Sequence, residues 1–320
     1  MPNAINDVYV SHFAYELGDD RFDVDQAVAS GRTLTAAQPL RDAGFSQHHV
    51  CRPGTTAYDL AKRAVGQIKP NLGDVGAIIY STCLVCNGNI GSETRFHETR
   101  DVKHLMDFPV SHLQADFHLD RAQAIGLNQQ ACTSMIGALR LAKALLKDDP
   151  AVGRILCVTA DRFPDKAIYE QAYNLISDGA SCCVVSGEPA GYKILSCHAI
   201  TNGALAQASD DETVGGYFNY THRLLTEAVA KAGLTIDQID WVVPQNTNIK
   251  AWKILARLLK IDIDRVFFKS IDQVGHIISS DNVVNLVELE KRANVKPGQK
   301  LLLFMAGFGL NWQSVILERV

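Results

Sequence analysis

The sequence predicts an α/β layered fold, and three observations carry the prediction. Apolar, β-branched runs of strand length alternate with stretches of helical periodicity. The strand runs are almost continuously apolar, as expected of sheets covered on both faces by helices. Hydrophobic residues make up 47% of the 320-residue chain, which is ample for a large core in one or two units.

From the N-terminus, "MPNAINDVYVSHFAYELGDD" turns acidic where an apolar leader would continue, so no secretory signal is read there. Strands are expected over Val75–Thr82, Arg154–Asp161 and Ser181–Gly187 in the first half. In the second half they are expected over Tyr192–Ile200, Asp240–Gln245, Arg265–Ile271, Lys300–Gly309 and Trp312–Val320. Helical spacing of apolar residues fits Thr56–Ile68, Ser134–Leu146, Tyr217–Ala232, Ile249–Leu259 and Val283–Arg292. The second half repeats the theme of the first. Residues 1–187 and 188–320 are therefore expected as two similar halves, packed as one unit because no linker or low-complexity tract separates them.

Composition excludes several function classes. A net charge of −4 with no Lys/Arg run argues against a nucleic-acid surface. No apolar stretch is long enough to span a membrane. Eight scattered cysteines do not form a disulfide framework, and the cytoplasm is the expected compartment. Cys83 and Cys86 form a C-x-x-C, but no second pair at zinc spacing accompanies them, so no metal site is expected.

Cys132 stands apart from the other cysteines. It follows the polar turn "GLNQQA" and precedes Met135, Ile136, Leu139, Ala142, Leu145 and Leu146, which recur at helical spacing. A thiol at a helix N-terminus meets the positive end of the helix dipole, which favours thiolate. Its own N–H, unpaired in the first turn, is free to hold an oxyanion. The competing reading is a small buried hydrophobe, which suits Cys157, Cys182, Cys183 and Cys197 inside their strands.

Five segments decide between these readings. "NQQACTSMIGAL", "LISDGASCCVVSGE", "WVVPQNTNIKAWKILARLL", "VGHIISSDNVVNLVELE" and "KPGQKLLLFMAGFGLNW" follow one another along the chain. In that order they resemble the nucleophile turn, the "GDGA" strand, the "VPHQAN" helix, the "GNTSAAS" segment and the terminal glycine-rich strand of the thiolase superfamily. The resemblance is closest to the ketoacyl-ACP synthase III branch of condensing enzymes and covers nearly the whole chain. It implies a five-layered α/β/α/β/α fold of two similar halves, and a cysteine acylated from acyl-CoA or acyl carrier protein. A homodimer, or a heteromer with a homologous subunit, is implied as well. No cofactor is expected, because CoA or phosphopantetheine enters as part of the substrate.

The sequence departs from that branch at two positions. The "PHQAN" histidine is replaced by Gln245 and the "GNTS" asparagine by His276. Glutamine takes no proton at pH 7, whereas histidine does. The expected site is therefore a Cys132–His276 dyad with Gln245 as polar helper, an arrangement resembling the "GH" histidine of thiolases. Asp281 is a candidate to orient His276. The alternative for His276 is a satisfied core histidine. Unlike thiolases, the last loop "MAGFGLNW" carries no second cysteine, so reversible thiolysis is not expected.

Three further expectations rest on the resemblance. The N–H of Phe308, in a turn allowed by Gly307 and Gly309, is the second oxyanion donor beside the Cys132 N–H. Asn248 contacts the phosphopantetheine arm. Lys250 and Arg257, on a basic stripe with Lys253 and Lys260, face an acidic carrier protein or the CoA phosphates. Glu93, Glu98 and Asp116, with His97, His104, His112 and His118, lie in the region that shapes the acyl tunnel, and are read as surface or interface groups unless one acid serves the second substrate. The expected activity is acyl transfer through Cys132, with C–C condensation in a specialised biosynthetic pathway placed first. Transfer to oxygen or nitrogen is the alternative, and a catalytically reduced partner subunit is the reading from another class.

Overall fold

The computed structural model describes residues 5–320 apart from 173, 208, 209 and 309, and the side chains of 206, 207, 210, 211, 213 and 214 are also left aside. Nine strands form the main sheet: β1 (Tyr9–Leu17), β2 (Val75–Ser81), β3 (Gln123–Leu127), β4 (Arg154–Asp161), β5 (Gly179–Ser186), β6 (Tyr192–Thr201), β7 (Trp241–Val243), β8 (Lys300–Gly307) and β9 (Asn311–Arg319). Their order is β7-β8-β9-β6-β1-β5-β4-β2-β3. Only Tyr9 and Val10 of β1 pair with β6, so the sheet is two sheets joined at one corner.

Each half repeats one pairing pattern. In the first half β3 and β4 lie parallel to β2, β5 runs antiparallel to β4, and β1 antiparallel to β5. In the second half β8 lies parallel to β7, β9 antiparallel to β8, and β6 antiparallel to β9. A parallel bridge from Val266 to Val242 stands where β3 stands in the first half.

Five helices complete the layers: α1 (Ala57–Ile68), α2 (Ser134–Asp148), α3 (Asp210–Lys231), α4 (Ile249–Leu259) and α5 (Asp281–Arg292). Helix α1 covers the outer face of the first sheet and α3 that of the second, while α2 and α5 touch strands of both halves from between them. Its start is set by a capping box in which Thr56 and Asp59 satisfy each other's backbone N–H groups. In α2, Met135, Ile136, Leu139, Ala142 and Leu146 are buried between the sheets. Each large aliphatic side chain buried there contributes roughly 1.5–3 kcal/mol.

One expectation needs correction. Arg265–Ile271 is not a strand. Val266 makes a single bridge, and Phe267 and Ile271 then enter different apolar clusters instead of sharing one sheet face. Two strands went unread in the sequence. The register of β1 shifts between Ser11 and Ala14, which interrupts the alternation that marks a strand. Strand β3 is a half-exposed edge strand without an apolar run. Among the described residues no helix is long and apolar enough to cross a membrane.

Candidate active site

The nucleophile turn lies between β3 and α2. Gln129 and Ala131 adopt left-handed conformations (φ 66° and 46°), and Ala131–Thr133 form a short 3-10 turn running into α2. A side chain held at positive φ costs on the order of 1–3 kcal/mol and persists only where surrounding contacts impose it. Those contacts come from both halves. Ser279 Oγ donates to the Ala131 carbonyl at 3.1 Å, Ser134 Oγ donates to Ser279 Oγ at 2.8 Å, and Gln313 Nε2 donates to Gln130 Oε1 at 2.9 Å. Cys132 is left 4% exposed.

The second half brings His276. His276 is 3% exposed. Its backbone is clamped to the first half, with its N–H donating to Leu175 O and its carbonyl accepting from Ser177 N, both at 2.8 Å. Its Nδ1 meets Asp281 Oδ2 at 2.5 Å, and its ring contacts the Cys132 sulfur. The Asp281 carboxylate also accepts from Asn246 N at 2.7 Å and Ile277 N at 2.6 Å. With Nδ1–H donated to Asp281, Nε2 is the atom available to the thiol.

Gln245 follows β7. Its Oε1 accepts from Ala306 N at 2.9 Å, which fixes the amide so that Nε2 lies 3.4 Å from His276 Nε2. The amide is thus presented as a donor.

The electrostatics follow from these contacts. A hydrogen bond from the Cys83 thiol favours the Cys132 thiolate, burial opposes it, and the hydrogen bond and charge of His276 favour it again, so Cys132 is lowered to about 5. Burial acts to lower His276, but the charge and hydrogen bond of Asp281 and the contact with Cys132 outweigh it and raise His276 to about 10. Both shifts act in the direction of a thiolate beside an imidazolium. In contrast, burial pushes Cys182 and Cys197 up.

The other expected residues fall into two groups. Gly307, at the end of β8, lies against the nucleophile, where a Cβ would sit 3.0 Å from Cys132 N. The space in front of that N–H stays open because this residue has no side chain. Phe308 follows in the adjoining turn with its side chain 52% exposed, and Gly309 lies outside the described residues. Asn248 caps α4, its Oδ1 accepting from Lys250 N at 2.9 Å, and its N–H donates to Asn174 Oδ1 at 3.0 Å. Lys250 and Arg257 stand on the exposed face of α4, outside the Cys132–His276–Asp281 cluster. Asp116 is engaged by Lys62 at 2.7 Å and by Tyr58, and Glu93 and Glu98 are exposed on a surface helix.

Sequence reading missed Cys83 as a neighbour of Cys132. One signal was available: Cys83 lies two residues beyond β2, and Cys132 five beyond β3, its parallel neighbour. In α/β sheets sites gather at the carboxyl ends of parallel strands.

Fold and site together define a thiolase-like enzyme architecture with the buried Cys132 between two similar halves. The family model for 3-oxoacyl-[acyl-carrier-protein] synthase III matches residues 128–203, and the model for the C-terminal part of the same family matches residues 229–319. The two cover just over half of the chain. The chain belongs to the ketoacyl-ACP synthase III family of thiolase-like condensing enzymes, a family of acyltransferases.

The β-ketoacyl-[acyl-carrier-protein] synthase III of Chlamydia caviae is 30% identical over 219 residues, 59% of this chain and 65% of that protein, so the match spans just under two thirds of the relative. The crystal structure of 3-oxoacyl-(acyl carrier protein) synthase III from Pseudomonas aeruginosa PAO1 shares the fold at TM-score 0.82, with 19% identity and 98% of each chain covered. An acyltransferase, ChlB3, gives the same TM-score at 20% identity, again over 98% of each chain.

Proposed function

We propose that this protein takes an acyl group from acyl-CoA or acyl carrier protein onto Cys132 and passes it to an oxygen or nitrogen nucleophile. The observation that supports this best is the line Asp281–His276–Cys132, in which one histidine serves the thiol and is held by a buried carboxylate. A base so placed removes protons from S–H, O–H or N–H groups in turn. Decarboxylative C–C condensation, as the family resemblance implies it, uses a histidine and an asparagine together on the extender. Here the "PHQAN" histidine position beside the dyad holds the neutral amide of Gln245.

The reaction balances without another acid or base. The Cys132 thiolate attacks the donor carbonyl, and the oxyanion is held by the Cys132 and Phe308 N–H groups. The leaving CoA or pantetheine thiolate takes the proton from His276 Nε2. Neutral His276 then accepts the proton of the incoming nucleophile, the new C–O or C–N bond forms, and Cys132 leaves as thiolate beside the regenerated imidazolium.

A cavity of about 260 Å³ lined by Tyr80, Thr82, Phe108, Val110, Leu127 and Asn128 suits the acyl chain. The basic face of α4, with Lys250 and Arg257, suits an acidic carrier protein or the CoA phosphates, and Asn248 at its start suits the pantetheine arm. Strand β3 ends the sheet with one edge unpaired, beside exposed Met106 and Phe108, which fits pairing with the same strand of a second copy in a homodimer. All eight cysteines are free, which fits the reducing cytoplasm.

The test is a single-turnover experiment. Acyl-Cys132 protein, prepared with an acyl-CoA and verified by intact mass, is offered malonyl-CoA in one arm and a panel of alcohols and amines in the other. Discharge to the alcohols or amines without release of CO2 supports the proposal. One CO2 per acyl group lost, with discharge only to malonyl-CoA, overturns it in favour of C–C condensation.

A further inference from the structure

The Cys132 N–H, an oxyanion donor in the proposed mechanism, belongs to the peptide unit that joins Ala131 to Cys132. Among the described residues no peptide bond is cis, so in this unit the N–H points opposite to the C=O. Whatever holds the Ala131 carbonyl therefore aims the Cys132 N–H. Two donors hold it. One is local, the Ser134 N–H at the start of α2. The other comes from the opposite half of the molecule, Ser279 Oγ at 3.1 Å.

Ser279 is itself fixed. A carbonyl oxygen only accepts, so the single hydroxyl proton of Ser279 goes to Ala131. The Ser279 oxygen then accepts the proton of Ser134 Oγ, 2.8 Å away. Both serines are buried, at 1% and 0% exposure, where water does not compete for these bonds.

A second grip steadies the residues on either side. Gln313 Nε2, on β9, donates to Gln130 Oε1 and to Thr133 Oγ1, both at 2.9 Å, and Thr133 Oγ1 donates to the Gln130 carbonyl at 2.7 Å. Gly137, inside α2, makes room for this grip, because a Cβ there would sit 1.8 Å from Gln130 Oε1. Glycine is unfavourable in a helix interior, so this contact and not helix preference accounts for it. With residues 130 and 133 tied to β9, Ser279 is the side chain from the second half that holds the peptide unit between them.

We infer that Ser279 is a positioning residue of the oxyanion site, whose hydroxyl holds the Ala131 carbonyl and thereby aims the Cys132 N–H at the acyl oxygen. The inference rests on the reading that Cys132 carries the acyl group. It separates two reactions of one thiol. Attack on a thioester carbonyl builds negative charge on oxygen and needs the aimed N–H. Displacement of iodide from iodoacetamide takes place at a saturated carbon, builds no oxyanion and needs only the thiolate. Loss of the Ser279 hydroxyl falls on the first reaction and spares the second.

The experiment uses the full chain as wild type, Ser279→Ala and Ser134→Ala. Each is reacted with acetyl-, butyryl- and octanoyl-CoA and, separately, with iodoacetamide, and both kinds of adduct are followed by intact mass. The readout is the ratio of the acylation rate to the alkylation rate, since a variant that merely unfolds or loses thiolate lowers both. In Ser279→Ala acylation is expected to slow on the order of 10- to 100-fold, part of what loss of a whole oxyanion donor costs, with alkylation within about 3-fold of wild type. Ser134→Ala removes the donor to Ser279 but leaves the Ser279 bond to Ala131, and lowers the ratio less, by about 2- to 10-fold. Equal slowing of both reactions in Ser279→Ala, or acylation at the wild-type rate, overturns the inference. If Ser279→Ala yields no folded protein, Ser134→Ala decides: a lowered ratio supports the inference and an unchanged ratio overturns it. Wild type that is alkylated at Cys132 but takes no acyl group overturns the reading of Cys132 itself, and the inference with it.

Discussion

The two middle helices begin alike and carry different side chains at their starts. A 3-10 turn, Ala131–Thr133, leads into α2, and another, Ile278–Ser280, leads into α5. Each turn opens on a non-glycine residue at positive φ, 46° at Ala131 and 50° at Ile278, and a hydrogen bond between Ser134 and Ser279 ties the two together. The first turn presents a thiol to the helix N-terminus. The second places Asp281 as the first residue of its helix, with His276 hydrogen-bonded to it from the preceding loop. One backbone device, repeated, thus supports Cys132 in one half and the carboxylate that holds His276 in the other. Neither half contains a complete site.

Removing the second turn's contribution has the largest expected effect. Asp281→Asn puts an amide N–H opposite His276 Nδ1 and drives the ring proton to Nε2, which then cannot accept from the thiol. Acylation from acyl-CoA is expected to slow on the order of 10²- to 10⁴-fold, measured as the rate of adduct formation by intact mass. The pH profile sharpens the same point. In wild type the thiolate persists as pH falls until about 5, and the imidazolium is lost only as pH rises through about 10, so alkylation of Cys132 by iodoacetamide is flat between those limits. In His276→Ala the lower inflection moves up, toward the ordinary thiol range near ~8.5.

Changes to the first turn are smaller and more local. Gly307→Ala puts a methyl group about 3.0 Å from Cys132 N, in the space reserved for the oxyanion. Loss of one such donor costs on the order of 10²- to 10³-fold in rate, and circular dichroism is expected to show the fold retained. Leu139→Ala, inside α2, tests packing alone. It is expected to cost about 2–5 kcal/mol in denaturant unfolding while leaving the acylation rate per folded molecule near wild type.

The legibility of the sequence differed in the same way between core and site. Arg154–Asp161 and Ile249–Leu259 were read at the bounds they have, because an apolar strand buried on both faces and an amphipathic helix write their periods directly into the chain. The bulged β1 and the exposed edge β3 were missed because neither keeps its period. At the site, Cys132, His276 and Gln245 stood out through family segments, and the structure brings them together. Asp281 could be named only as a candidate, since its role depends on the turn that points it back at His276. Cys83 was misfiled with Cys86, because spacing along the chain says nothing about which sulfur a turn faces.

The replacement of histidine by Gln245 and of asparagine by His276 is the feature on which the account depends, and one measurement addresses it directly. Acylation by acyl-CoA is followed by intact mass in wild type, His276→Ala and Gln245→Ala, with Cys132→Ala as the blank. The account predicts an adduct absent from Cys132→Ala, formed on the order of 10²- to 10⁴-fold more slowly in His276→Ala, and slowed no more than about 10-fold in Gln245→Ala. Equal losses in His276→Ala and Gln245→Ala, or an adduct that survives in Cys132→Ala, would contradict it.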